Sequence, residues 1–339
     1  MATGSSSSTS EFALSSPPTD GITSLSFVTN ELLLVSSWDA GVRLYDVEQN
    51  DLLASYYHKA GVLDCCFADA DTCFSGGVDR VVRMFDVRSH TESAIGAHDN
   101  AVKCVAYSPQ GLVLSGSWDG TLKGWDPKAN NTSNASNKSQ LSLDLPDKIY
   151  SMDLRGDKLV VATAGRHVWI YDPRNLSSPL YKRESALKFQ TRCVKVFPDL
   201  TGYALSSVEG RVAIEYFDTA PEVQARRYAF KCHRHTARTG EQTVYPVNAM
   251  AFHPVYGTFT TGGCDGMVNV WDGQNKKRLC YYRQYPTSIS ALAFNPSGRL
   301  LAIASSYTFE EGEKDHPADS IFIRTVEDVD VKPRTRPSQ

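Results

Sequence analysis

Cationic, aromatic and imidazole side chains are the groups in this sequence best placed to bind or react. Arg211 sits in a turn, and Lys231 and Arg234 flank the loop that follows; a cluster of such cations suits a phosphorylated side chain, which carries about −1.5 to −2 charges at neutral pH. Glu209 stands two positions before Arg211, so an ion-paired, solvated surface is the plainer alternative. Trp38 and Trp118 each sit between a serine and an aspartate. Large aromatics at such positions suit a peptide anchor, and packing between neighbouring structural units is the alternative. Arg183, Lys188 and Arg192 extend the basic character. Cys232, His233 and His235 are close enough to raise zinc, but no second pair of ligands stands nearby, so no metal is expected. No Gly-rich phosphate loop follows a strand, and there is no His-Glu-x-x-His, nucleophile elbow or kinase motif set. The expectation is a non-catalytic protein without cofactor.

Composition narrows the class. The net charge of −3 draws the chain to neither nucleic acid nor an anionic membrane. No apolar run approaches the roughly 18 residues of a membrane span, and the small-polar N-terminus lacks the blocks of a signal peptide. A cytosolic or nuclear protein with reduced thiols is expected. Cys65, Cys66, Cys104, Cys193 and Cys264 fall in or beside apolar strand patterns and read as small core residues.

The elements that must position these residues emerge from self-comparison. Ser37-Trp38-Asp39 leads to Val42-Arg43-Leu44-Tyr45-Asp46, and the unit returns 40 residues on as Gly77-Val78-Asp79 leading to Phe85-Asp86, then as Ser117-Trp118-Asp119-Gly120 leading to Trp125-Asp126. Gly263-Cys264-Asp265-Gly266 leading to Trp271-Asp272 is a further copy, with weaker ones at 165–172 and 208–216 and a stretched one at 304–323. Within a copy, apolar and small residues alternate as in strands with one buried face, and an Asp-Gly pair supplies a tight turn. A period of about 40 ending in Trp-Asp is the four-stranded blade signature. The expected fold is all-β, a seven-bladed WD-repeat β-propeller. His98, Ser115, Asp119 and Trp125 are the four residue types that link the strands of such a blade, with His58 in a like position; Phe85 replaces the tryptophan in the second copy. The last blade is one strand short, and Glu11-Phe12-Ala13-Leu14 is the candidate to complete it, so that N- and C-terminal strands close the ring. The domain boundaries expected are a disordered Ser-rich start at 1–10, the propeller at 11–327 and a flexible tail at 328–339. An Asn/Ser-rich insertion at 130–140, with sequons at Asn130, Asn134 and Asn137, reads as a surface loop. Residues 231–243 read as a second long loop and 310–319 as an acidic hairpin.

Ser206-Ser207-Val208-Glu209-Gly210-Arg211-Val212-Ala213, Phe230-Lys231-Cys232-His233-Arg234, Tyr245-Pro246-Val247-Asn248 and Tyr285-Pro286-Thr287-Ser288-Ile289-Ser290 resemble the WD-repeat spindle-assembly (mitotic) checkpoint adaptor of the budding-uninhibited-by-benzimidazoles type. The likeness runs from Phe12 to Val326. It implies a scaffold at kinetochores, in the nucleus and also the cytoplasm, acting as a monomeric propeller in hetero-complexes. It implies as partners a checkpoint kinase and its pseudokinase-like relative, held through a short segment crossing the top face. It further implies phosphothreonine reading in Met-Glu-Leu-Thr repeats of the outer-kinetochore scaffold, with Arg211 and Lys231 as the phosphate pair. The related messenger-RNA export propeller, which binds a nuclear-pore protein, shares the Glu-Gly-Arg and Lys-Cys-His-Arg blocks, whereas Trp38-Asp39, Tyr245-Pro246-Val247 and Tyr285-Pro286-Thr287 favour the checkpoint branch. Tyr171-Asp172-Pro173-Arg174 and Trp125-Asp126-Pro127-Lys128 also resemble the short Asp-x-Arg motif of cullin-RING ubiquitin-ligase substrate receptors.

Overall fold

A computed structural model describes residues 10–128 and 139–334. Seven four-stranded antiparallel sheets follow one another around a ring. Blades 1 to 6 occupy residues 22–57, 62–97, 102–144, 149–184, 191–231 and 247–281, each running from an inner strand a to an outer strand d. Blade 7 takes three strands from the C-terminal part, Ile289–Phe294, Leu300–Ser305 and Ser320–Thr325, and its outer strand from Glu11–Ala13. Phe12 lies opposite Ile323 in that pairing, so the terminal closure expected from the repeat count is the one formed. Among the described residues no helix is long and apolar enough to cross a membrane.

Stacking blades face to face alters the simple alternation of apolar and polar positions. A b strand such as Leu32–Ser37 is buried at five consecutive positions, because blades cover both of its faces. An outer strand such as Asp51–Tyr57 is mostly exposed. Each core cluster therefore lies between two blades: Leu33, Val35 and Tyr45 of blade 1 pack with Ala302, Ala304 and Ile323 of blade 7.

Side-chain networks tie the strands of three blades. In blade 3 the indole Nε1–H of Trp125 donates to Ser115 Oγ at 2.7 Å, Ser115 Oγ meets His98 Nε2 at 2.7 Å, and His98 Nδ1 reaches Asp119 Oδ2 at 3.2 Å. In blade 2, where Phe85 cannot donate, Tyr56 stacks on Phe85 at 4.6 Å and its hydroxyl lies 2.8 Å from Ser75 Oγ. His58 then links Ser75 to Asp79 as His98 links its own pair. In blade 6, Trp271, Thr261, His233 and Asp265 form the same chain. His233, raised above with Cys232 and His235 as a metal candidate, has both ring nitrogens engaged in this network. Among the described residues no group of three His, Cys, Asp or Glu side chains could hold a metal ion.

The seam of the ring is an ionic knot. The Glu11 carboxylate accepts from Tyr285 Oη at 2.7 Å, from Arg324 at 3.1 Å and from Arg283 Nε at 3.0 Å. Burial pushes its carboxyl up, but these donors outweigh that and hold it below its ordinary value.

Three segments depart from expectation. Residues 231–243 are not one loop: Arg234–Thr236 and Gln242–Val244 pair as a hairpin standing outside the blades. Residues 310–319 form no hairpin, and Glu310 instead accepts hydrogen bonds from Ser288 and Thr308. Asp328–Val331, expected within a loose tail, make one helical turn that buries Val331 against blade 6, where Thr258 Oγ1 donates to the Val331 carbonyl at 2.7 Å. Apolar contact at Val331 orders what charge alone suggested was free. The sequons at Asn130, Asn134 and Asn137 lie outside the described residues, as does the start at 1–9.

Two outcomes follow from these networks. Burial pulls the His98 imidazole from 6.5 down to about 4. The unfolded histidine takes up its proton below 6.5 and the folded one does not, so stability should fall as pH drops from 6.5 towards 4 by up to about 3 kcal/mol; denaturant titrations across that range should show this slope, reduced in His98→Gln. Glu11, with its depressed carboxyl, contributes fully above the ordinary value near 4.5 and loses that contribution as pH falls. Glu11→Gln should cost about 1–3 kcal/mol at neutral pH in the same assay, and little at acid pH.

Candidate functional site

Antiparallel order puts every b–c turn and every link from strand d to the next blade on one rim, and every a–b and c–d turn on the other. All five residues singled out above fall on the first rim. Trp38 and Trp118 occupy the b–c turns of blades 1 and 3, with their backbone N–H groups donating to Gly21 and Ala101 carbonyls. Arg211 opens strand c of blade 5, Lys231 closes strand d of that blade, and Arg234 begins the hairpin that follows.

The cationic group is assembled by strand register. Arg211 and Lys231 are direct partners across strands c and d. Like charges directly opposite are unfavourable in a sheet, so the pairing stores a demand for an anion. Arg211 is about one-third exposed, its Nε 3.4 Å from Glu209 Oε1, and Lys231 is exposed. That distance is long for a charge-assisted bond and leaves most of the guanidinium's donors available. The turn at 208–210 can sit here only because residue 210 is glycine. Its φ is +63°, and a Cβ would stand 2.7 Å from the Cys232 carbonyl and 3.0 Å from that of Tyr245. Arg234 acts differently. It donates to the Glu209 carbonyl at 2.7 Å and to Gln242 Oε1 at 3.0 Å, pinning the hairpin to the turn that carries Arg211. A groove of about 220 Å³, lined by Tyr228, Phe230, Trp271, Lys276 and Lys277, runs from Lys231 along the outside of blades 5 and 6.

The two tryptophans differ. Trp38 is 46% exposed and packs against Gly61, where a Cβ would come within 2.5 Å of its ring. It is held by backbone without being buried by it. Trp118 is half-buried, and its indole N–H is enclosed without an acceptor. Two further aromatics share the rim. Phe189, 53% exposed, lies between exposed Lys188 and Arg192, and Phe309, 65% exposed, is held at φ 61°. Neither stands at a repeat position, so periodicity did not single them out. Arg183 does not join the rim cluster. It donates to the Tyr216 and Phe217 carbonyls at 2.6 and 2.8 Å and ties blade 4 to blade 5. Arg174 of the Asp-x-Arg motif forks onto its own Asp172 at 2.9, 3.1 and 2.5 Å.

A ring of Asp-turned blades with an aromatic and cationic rim defines a WD-repeat propeller, and the WD domain, G-beta repeat pattern matches residues 8–46, 50–86, 90–126 and 231–272. The relatives carry this further. The chain is 56% identical to mitotic checkpoint protein BUB3.1 of Arabidopsis thaliana, with 95% of each chain covered, and 49% identical to mitotic checkpoint protein bub3 of Dictyostelium discoideum, with 93% of this chain and 94% of that one covered. It is 36% identical to the mRNA export factor GLE2 of Chaetomium thermophilum over 95% of this chain and 92% of that one. The chain belongs to the Bub3 family of WD-repeat mitotic checkpoint proteins.

Because Trp38 is nearly half exposed and stands outside the core clusters, Trp38→Ala should cost about 1–2 kcal/mol and lower the thermal midpoint by only a few degrees. Calorimetry showing a collapse of the transition would make Trp38 a packing residue.

Proposed function

We propose that this protein is a non-catalytic spindle-checkpoint scaffold that brings checkpoint kinase-family partners to kinetochores by reading phosphothreonine. The observation that carries the reading is the register pair of Arg211 and Lys231, two cations on adjacent strands with only a long contact to Glu209 between them and neutrality. A phosphothreonine dianion supplies the missing charge and acceptors for both side chains. The apolar groove beginning at Lys231 offers space for the Met or Leu side chain of a Met-Glu-Leu-Thr repeat. The same surface demands no catalyst, since binding alone relocates whatever the propeller carries.

The partner segment has its own part of the rim. Trp38 is a pre-positioned aromatic anchor, and the half-buried Trp118 offers the exposed part of its ring. A single chain laid over the rim between blades 1 and 3 meets both. On this reading the partners are the checkpoint kinase and its pseudokinase-like relative, and the site of action is the kinetochore. The export-factor reading is supported less well, because identity to GLE2 is 36% against 56% and 49% for the checkpoint proteins named above.

The test is calorimetric binding of paired Met-Glu-Leu-Thr peptides, phosphorylated and unphosphorylated. Only the phosphopeptide should bind, and Arg211→Ala should lose about 2–5 kcal/mol, as for a charge pair at an interface. Equal binding of the two peptides would sink the phosphate reading.

A further inference from the structure

The opposite rim carries a second feature that the checkpoint reading does not use. Between blades 5 and 6 a cleft of about 340 Å³ opens, walled by Phe197, Tyr216, Phe252 and Tyr256. It belongs to the a–b and c–d side of the ring, away from Trp38 and Arg211. Tyr228, whose hydroxyl donates to the Gly273 carbonyl at 2.6 Å, bridges the two blades between this cleft and the outer groove beside Lys231.

Two connections that exceed the usual tight turns build it. The c–d link of blade 5 spans residues 217–227 and contains the helical turn Pro221–Gln224. The a–b link of blade 6 spans residues 253–258 and is fixed from beneath by His253. Its Nδ1 accepts from the N–H groups of Val255 and Tyr256 at 3.2 Å each, and its Nε2 meets the Gly298 carbonyl at 3.2 Å. Val255 is thereby presented on an ordered loop while remaining 66% exposed. An apolar side chain displayed on a braced loop at the mouth of an aromatic cleft is an arrangement pre-organised for binding.

Charge at the mouth selects the occupant. Arg226 and Asp199 are the two charged residues lining the cleft. Asp199 already accepts from Thr201 N–H at 3.0 Å and Thr201 Oγ1 at 2.7 Å. Arg226 lies 4.8 Å over the Tyr216 ring and, among the described residues, its guanidinium makes no hydrogen bond or ion pair. The donors left over at the mouth thus call for a carboxylate.

We infer that this cleft docks an extended segment of a partner protein in which a bulky apolar side chain stands next to an acidic one. The apolar group rests over the packed rings of Phe197 and Phe252, against Val255, and the carboxylate meets Arg226. The surface lies on the face opposite the phosphate pair, so both can be occupied at once, and a partner held here would be carried along with the checkpoint complex.

The probe is the peptide Gly-Ser-Phe-Glu-Ser-Gly titrated into the full chain and followed by NMR, with Phe→Ala and Glu→Lys peptides as controls. Saturable binding at about millimolar affinity or better is expected. Both control peptides, and the protein variants Val255→Glu and Arg226→Glu, should bind about tenfold more weakly or not at all, while Arg211→Ala binds as the parent does. No saturable binding, equal binding of the three peptides, or indifference to Arg226→Glu overturns the inference. Sedimentation of the parent as a dimer that Val255→Glu dissociates would make a second copy the occupant and overturn it as well. Thermal melts of each variant ensure that a loss of binding is not a loss of fold.

Discussion

A ring of stacked sheets has one seam, and everything else in this molecule presumes that the seam holds. Each blade is covered by its neighbours on both faces, which is why a b strand can be buried at five consecutive positions. No blade is complete alone, since its apolar faces and its edges need a neighbour. The chain meets this by giving blade 7 its outer strand from residues 11–13 and locking the strand with one carboxylate shared among Arg283, Arg324 and Tyr285. The lock is strong because it is partly buried and multiply donated, where a single exposed pair would contribute little.

With the ring closed, the blades become a frame on which turns are held rigidly. In blades 2, 3 and 6 the aspartate of the b–c turn is fixed from within by a buried histidine, which leaves the residue before it, Trp118 in blade 3, on the rim. In blade 1 Arg43 and the Thr19 N–H hold Asp39 instead, beside Trp38, and in blade 5 Gly210 shapes the turn that leads into Arg211. The rim can therefore show aromatic and cationic groups in set geometry with little ordering left to do on binding. The other rim uses different devices, a braced loop and a widened c–d link, and builds its cleft without the repeat.

Departures from the repeat mark the places where the blades do something beyond stacking. In blade 2 a tyrosine hydroxyl takes over from the missing indole, so the substitution at Phe85 is structural compensation and leaves no gap. In blade 6 the histidine is present, but the hairpin moves it to 32 residues before its aspartate, where 21 separate the pairs of blades 2 and 3. The broken spacing hid His233 among apparent metal ligands. The same insertion brings Arg234 to brace the turn that precedes Arg211, a role that its charge does not reveal.

What the sequence by itself determined is what local chemistry repeats: the count of blades, the Asp turns, the terminal strand that closes the ring and the rim residues that stand at repeat positions, Trp38 and Trp118. These are legible because one blade's turn and strand pattern is imposed by neighbouring residues and returns at a fixed interval. Only the tertiary structure decided which side chains meet. Strand register set Lys231 opposite Arg211 and turned two separate cations into a pair. Packing sorted Arg183 into a strand tie and Arg234 into a brace, and apolar burial of Val331 ordered a segment whose charges read as a tail. The cleft between blades 5 and 6 joins residues from 197 to 274. Such contacts arise from closure of the whole ring, so no interval along the chain announces them.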